Sequence, residues 1–157
     1  MNVLIDADAC PVAGIAVALC HSYQIPCYLL CDTAHRLEHP NAITLTFDKG
    51  NDSVDFALAN RVQAGDLVIT QDYGVASMCL AKKAYVLHQD GWFYTNDNIY
   101  ALLLQRHESR IYRAAGGRTK GPKKRTTGQN HAFRQAMEQL IRSNSTETSS
   151  ADSAETP

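Results

Sequence analysis

Two apolar runs that each end on carboxylates constrain this chain more than any other feature. The first is Val3-Leu4-Ile5, followed by Asp6-Ala7-Asp8 and then Pro11 ahead of a segment with helical periodicity. The second is Leu67-Val68-Ile69, followed by Thr70-Gln71-Asp72 and another helical segment. A short continuous apolar run followed by an amphipathic segment reads as a parallel strand covered on both faces, leading into a helix. In open α/β sheets, ligands gather at the carboxyl ends of strands, beside the N-termini of the helices that follow. Asp6, Asp8 and Asp72 therefore stand where a site would form. Acids near helix N-termini also have a plain structural use as caps or dipole partners, which is the alternative reading of Asp8 beside a functional pair with Asp6. Asp6 is harder to account for. At the last position of an apolar strand, a carboxylate is costly unless a cation, a donor or water meets it.

The rest of the chain continues the alternation. Val12, Ile15, Ala16, Leu19, Cys20 and Tyr23 repeat at helical spacing, with Pro11 suited to the first helical position. Cys27 to Cys31 is a strand beginning after Pro26, and Ala42 to Phe47 is a third strand. Asp48 to Asn51 is a turn, with Asn51 or Asp52 as N-cap of a helix whose Val54, Ala57, Leu58 and Arg61 share a face. Asp52 and Asp55 are three apart, so one turn of helix puts both on the same side. Tyr73 to Lys82 is helical, Tyr85 to Leu87 is a strand, and Asp90-Gly91 turns the chain into Trp92-Phe93-Tyr94. A helix from Asn98 to about Ala115 brings Arg106, Arg110 and Arg113 near one another before Gly116-Gly117 stops it. Residues 116–128 have no apolar periodicity and read as a basic loop. A final helix carries Phe133, Ala136, Met137, Leu140 and Ile141 on one face, and the Ser/Thr/Glu-rich residues 143–157 read as a disordered tail. One domain over residues 1–142 follows. Strand and helix in alternation imply parallel βαβ units, and right-handed crossovers place the acidic ends of the first and fourth strands on one edge of the sheet.

Charge is divided along the chain. Residues 1–105 carry five basic and eleven acidic side chains, whereas residues 106–142 carry ten basic and two acidic ones. An acidic site in one region and a basic strip in another suits a protein that holds divalent cations and a polyanion together; solvated helix faces are the plainer alternative. No apolar run is long enough to cross a bilayer and no charged-then-apolar leader opens the chain, so a cytoplasmic protein without membrane contact is expected. The cysteines, Cys10, Cys20, Cys27, Cys31 and Cys79, are scattered over apolar segments as small hydrophobes, and no Cys/His set has zinc spacing. His35 and His39, interrupted by Pro40, read as loop residues.

A cluster of Asp6, Asp8, Asp72 and one or both of Asp52 and Asp55 would be an all-oxygen site, suited to Mg2+ or Mn2+. Without a cation such acids repel and their pKa values rise. A divalent ion removes that conflict and can promote phosphodiester hydrolysis, with these acids as the candidate catalytic groups. Thr70 is placed to hydrogen-bond one of the metal ligands. In the basic loop, Arg118, Lys120, Lys123, Lys124 and Arg125 are candidate nucleic-acid contacts, since Gly and Thr there add backbone N–H groups and hydroxyls for phosphates. The loop is not a P-loop, because Pro122 follows the second glycine where lysine is required.

Asp6-Ala7-Asp8-Ala9-Cys10-Pro11-Val12, the Asp52/Asp55 segment, Thr70-Gln71-Asp72 and Gly116 to Arg125 together resemble the YaiI/YqxD family of bacterial proteins over about residues 1–142. Through the order strand-Asp, helix-Asp, Thr-x-Asp, that family in turn resembles the PIN-like nucleases. The likeness implies a three-layer α/β/α fold with a mainly parallel central sheet and metal-dependent cleavage of nucleic acid, RNA first among the substrates. It makes Asp6, Asp55 and Asp72 metal-site acids. Asp8 and Asp52 belong to the YaiI/YqxD pattern, and Asp90 is a candidate for a further acid. A groove for nucleic acid could be built by one chain or by a homodimer. Two other readings stand beside this one. Val3-Leu4-Ile5-Asp6-x-Asp8 also resembles the first motif of haloacid dehalogenase-type phosphatases, with Asp6 as nucleophile and Lys82 or Lys83 as a third-motif lysine, although the last paired-acid motif is missing. The other is a non-catalytic RNA-binding module using the basic strip.

Overall fold

Alternate residues of the first strand, β1 (Val3–Asp6), serve opposite layers of the molecule. Val3 and Ile5 join a core with helix α1 (Ala13–Ser22) and helix α5 (Thr127–Ala151), while Leu4 joins a second core with α2 (Ser53–Arg61), α3 (Tyr73–Ala81) and α4 (Asn96–Ala114). Burial on both faces is why these strands are continuous apolar runs rather than alternating ones. The computed structural model describes residues 1–33, 38–48, 53–121 and 123–151, with side chains to Ser145. His35, Asn51, Asp52, Pro122 and residues 152–157 lie outside the described residues.

Strands β2 (Cys27–Asp32), β3 (Ile43–Phe47), β4 (Leu67–Ile69), β5 (Tyr85–Leu87) and β6 (Phe93–Tyr94) complete a six-stranded sheet in the order β3-β2-β1-β4-β5-β6. All neighbours are parallel except β5 and β6, which form an antiparallel pair. The result is the expected three-layer α/β/α fold with a mainly parallel sheet. The chain winds outward from β1 to β2 and β3, then returns to the other side of β1 with β4. Between β1 and β4 the order reverses, which opens a crevice at their carboxyl ends.

Helix α5 belongs to the fold. Phe133, Met137 and Ile141 are fully buried against α1 and the sheet, each contributing about 1.5–3 kcal/mol by removal from water. At its surface, the Tyr23 hydroxyl donates to Glu138 Oε1 at 2.6 Å and accepts from Arg142 Nε at 3.0 Å. All five cysteines are free thiols, four of them buried, in keeping with their reading as small hydrophobes. Among the described residues no helix is long and apolar enough to cross a membrane.

Several boundaries differ from expectation, for local reasons. Helix α1 begins at Ala13 rather than Pro11, because a tight turn first closes from Ala13 N–H to the Cys10 carbonyl at 3.4 Å. Helix α4 begins at Asn96 rather than Asn98. Thr95 and Asn98 form a reciprocal capping box there, with Asn where Glu or Gln is the usual partner. Helix α5 takes Thr127 and Gly128 from the basic loop, since the Thr126 N–H donates to Gln129 Oε1 at 2.8 Å and Gln129 N–H to Thr126 Oγ1 at 3.4 Å. At its other end α5 runs past Arg142 to Ala151. Extending an established helix is far easier than starting one, and the Ser143, Asn144 and Ser145 side chains bond carbonyls four residues earlier along it.

Gly91 fixes how α5 meets the sheet. Its φ is +89°, and a Cβ there would lie 2.5 Å from Ala132 C and Phe133 N. Gly91→Ala should lower stability by about 2–4 kcal/mol, combining backbone strain with collision against helix backbone. Gly65 also has positive φ but nothing within 4 Å, so Gly65→Ala should cost only about 1 kcal/mol. Thermal denaturation of the two variants checks the ranking.

Candidate functional site

At the carboxyl ends of β1 and β4 one hydroxyl joins two acids. Thr70, buried directly after β4, donates its Oγ1 hydrogen to Asp6 Oδ2 at 2.8 Å and accepts the Asp72 N–H at 3.0 Å. Its single hydrogen is thereby committed to Asp6 and a lone pair to the Asp72 backbone. Asp72 in turn caps α3, with Oδ1 accepting from Gly74 N–H at 2.7 Å and Val75 N–H at 3.1 Å. Its second oxygen, Oδ2, lies 3.2 Å from Arg106 Nη1. Asp8 is not a cap of α1. Its carboxylate accepts the Asp32 N–H at 3.2–3.3 Å, tying the turn after β1 to the end of β2. Asp55 lies in the first turn of α2.

These acids feel one another. The Asp6 carboxyl is pushed up to about 6, first by burial and then by the negative charges of Asp55, Asp8 and Asp72, against the lowering effect of the Thr70 hydrogen bond. The structure thus brings Asp6, Asp8, Asp55 and Asp72 to one edge of the sheet. Asp52 lies outside the described residues. Among the described residues, no three His, Cys, Asp or Glu side chains stand in the arrangement of a metal site. What fits a cation is the donor chemistry: an all-carboxylate set, one member of which is pushed toward protonation by burial and then by its neighbours.

Asp90 takes no part in that repulsion. Its Oδ1 accepts from Arg125 Nη1 at 2.7 Å, and its backbone N–H donates to His88 Nδ1 at 3.1 Å. His88 stacks on Trp92 at 4.4 Å between centroids, and burial pushes its pKa down. Arg125 therefore does more than sit in a solvated loop. It also donates to the Gln89 carbonyl at 2.6 Å and to Asn130 Oδ1 at 2.8 Å, pinning the loop to the β5–β6 turn. Arg118, Lys120, Lys123 and Lys124 are exposed just ahead of this anchor. The Cys10 thiol is pushed up chiefly by burial and further by Asp6, while Arg125 lowers it.

The lysines weighed for phosphatase chemistry are misplaced for it. Lys82 Nζ lies 3.5 Å from the Asn60 carbonyl, and the Lys83 carbonyl accepts the Gly65 N–H at 3.0 Å. Both stand at the opposite edge of the sheet, the length of α3 or about 13 Å away from Asp72.

Sequence reasoning did not assign Arg106 to this site. The signal was present: Arg106 shares a helical face with Ile99, Leu102 and Leu103, which pack on the domain, and an arginine on a packing face needs an acid.

An open, doubly wound α/β domain with acids at its switch point is the class these features define. A family model described as "Uncharacterized BCR, YaiI/YqxD family" matches residues 4–143, and the chain belongs to that family. It is 46% identical over 141 residues to a UPF0178 protein of Exiguobacterium sibiricum, covering 90% of this chain and 96% of that one. It is 45% identical over 143 residues to a UPF0178 protein of Clostridium acetobutylicum, covering 90% and 97%. A UPF0178 protein of Ruminiclostridium cellulolyticum is 47% identical over 137 residues, covering 87% and 90%. No solved structure matches.

The raised Asp6 carboxyl sets a pH dependence. The folded chain holds this proton more tightly than the unfolded one, so stability falls as pH rises from about 4 through 6 and is level above. Asp6→Asn removes the ionisation. The variant should be more stable than the parent at pH 7.5, by about 1–3 kcal/mol, with the advantage fading toward pH 4. Urea denaturation of both chains at several pH values measures the difference.

Proposed function

We propose that this protein is a metal-dependent hydrolase of PIN-like type, cleaving phosphodiester bonds in RNA. The observation that carries the reading is the Thr70 hydroxyl linking Asp6 to Asp72 across the β1–β4 switch point. The order strand-Asp, helix-Asp, Thr-x-Asp is met in space by Asp6, by Asp55 at the start of α2, and by Thr70 with Asp72.

Asp6, Asp55 and Asp72 are the residues that would hold Mg2+ or Mn2+. Such a cation supplies Lewis-acid activation of water and neutralises charge building on the phosphodiester. The chain's own residues do the positioning. Asp72 has one oxygen fixed by two backbone N–H groups, leaving Oδ2 directed away from α3. Thr70 holds the Asp6 carboxylate in register with it. Asp8 braces the β1 turn against β2. Arg118, Lys120, Lys123 and Lys124 supply cations for a polyanionic substrate, in a loop that Arg125 anchors to the β5–β6 turn.

Calorimetric titration of Mn2+ into the parent chain, Asp6→Asn and Asp72→Asn tests the reading, since Asn keeps the helix cap. Both substitutions should weaken binding about tenfold or more, a loss of about 1.4 kcal/mol or greater. Both should also abolish Mn2+-dependent cleavage of single-stranded RNA. A parent chain that binds no Mn2+, with or without oligonucleotide, overturns the proposal. Replacing Arg118, Lys120, Lys123 and Lys124 together by Gln should leave Mn2+ affinity in place. It should flatten the dependence of log K for RNA on log salt by up to about 3.

A further inference from the structure

Arg106 pairs with Asp72 at the acidic site, and its placement has a second use. Its Nη1 lies 3.2 Å from Asp72 Oδ2, the oxygen that capping of α3 leaves directed outward. The pair is partly open to solvent, with side-chain exposures of 54% for Arg106 and 33% for Asp72, so it is weakly held. A divalent cation ligated by Asp72 Oδ2 would need the position that the guanidinium fills.

The geometry of α4 says where the guanidinium would go. Ile99, Leu102 and Leu103 pack the first half of the helix on the domain. Arg106, Arg110 and Arg113 follow on the same side at spacings of four and three residues, within about 60° of arc. Beyond Arg106 this side leaves the domain: Arg110 and Arg113 are exposed, with Arg113 Nε donating back to the Ser109 carbonyl at 3.2 Å. The acidic site thus has a row of guanidinium groups leading away from it along α4, separate from the basic loop.

We propose that Arg106 is an internal counter-cation that a bound divalent ion displaces from Asp72, after which it binds a substrate phosphate. Arg110 and Arg113 continue that phosphate track along α4. No bond is made or broken in the exchange. Asp72 Oδ2 gives up an N–H donor and receives the cation, while the freed guanidinium donates to phosphate oxygens, for which its planar fork is suited. The partner is a nucleic-acid strand, whose regularly spaced phosphates match a row of cations. This proposal rests on the metal-dependent reading above.

Opposite signs make the test sharp. Mn2+ is titrated calorimetrically into the parent chain, Arg106→Gln and Arg110→Gln, with thermal denaturation confirming folding. Arg106→Gln should bind Mn2+ about three- to tenfold more tightly than the parent, because its competitor for Asp72 is gone. Arg110→Gln loses the same charge without touching Asp72 and should stay within about twofold of the parent. Affinity for a short phosphorothioate RNA, which resists hydrolysis, is then measured with and without Mn2+. Arg106→Gln should weaken RNA binding severalfold only when Mn2+ is present, whereas Arg110→Gln and Arg113→Gln should weaken it in both conditions.

Arg106→Gln binding Mn2+ no more tightly than the parent overturns the displacement. Equal tightening by Arg110→Gln also overturns it, by reducing the effect to general charge. RNA affinity unchanged in Arg110→Gln and Arg113→Gln overturns the phosphate track. A parent chain that binds no Mn2+ at all is a separate result, and it removes the underlying reading together with this one. If Arg106→Gln fails to fold, Arg106→Lys and the Arg110 and Arg113 variants still decide the matter. Lysine keeps the charge with a single compact donor and should give an intermediate Mn2+ affinity.

Discussion

A single hydroxyl holds the acidic edge of this molecule together. Thr70 meets the carboxylate of Asp6 with its proton and the backbone of Asp72 with a lone pair, so the ends of two adjacent parallel strands are fixed to one another by one side chain. The arrangement depends on strand order. Because β4 lies beside β1, Thr70 and Asp6 become neighbours though 64 residues separate them in sequence. It also opposes a real cost. Burial and three nearby acids push the Asp6 carboxyl up to about 6, and the Thr70 bond is what lowers it. For Asp6 the balance is unfavourable, since a buried carboxylate beside other acids would be better placed in water.

The division of charge along the chain takes on a different meaning once folded. Of the cations in the basic region, Arg106 pairs with Asp72, Arg125 with Asp90 and Arg142 with Glu138. Two of these three pairs join the basic region to the acidic one, so part of the contrast read from sequence is used to assemble the domain itself. Arg125 is the clearest case. Four neighbouring cations in its loop are exposed, but its own guanidinium is committed to Asp90, the Gln89 carbonyl and Asn130. A count of positive charge in a loop overstates what a polyanion can reach, and the structure separates the anchor from the cations it presents.

How far the sequence could be read follows from which interactions are local. The strands were legible because burial on both faces leaves uninterrupted apolar runs such as Val3-Leu4-Ile5 and Leu67-Val68-Ile69. Convergence of Asp6 and Asp72 on one edge was legible because right-handed crossovers leave few arrangements for parallel strands. The start of α4 lies two residues before the expected Asn98, since Asn98 stands where a capping box ordinarily has Glu or Gln. Ser143 to Ser145 lack apolar character, so periodicity does not mark the continuation of α5 past Arg142. Neither Arg125 with Asp90 nor Arg106 with Asp72 is visible without the fold, because each joins segments that only tertiary packing brings together.

Helix α4 makes the same point about faces rather than pairs. Its periodicity correctly marked Ile99, Leu102 and Leu103 as a packing side, but periodicity cannot say how far along the helix the packing partner extends. The domain ends near Arg106, so that residue stands at the boundary between a buried face and a free one. Apolar residues before it are held by α3 and the β6 region, and arginines after it face outward. A helix that changes from apolar to cationic along one side, at the point where it passes an acidic strand end, is doing two jobs with one geometry. Its first half fixes the direction of the axis, and with it the approach of the half-exposed Arg106 to Asp72.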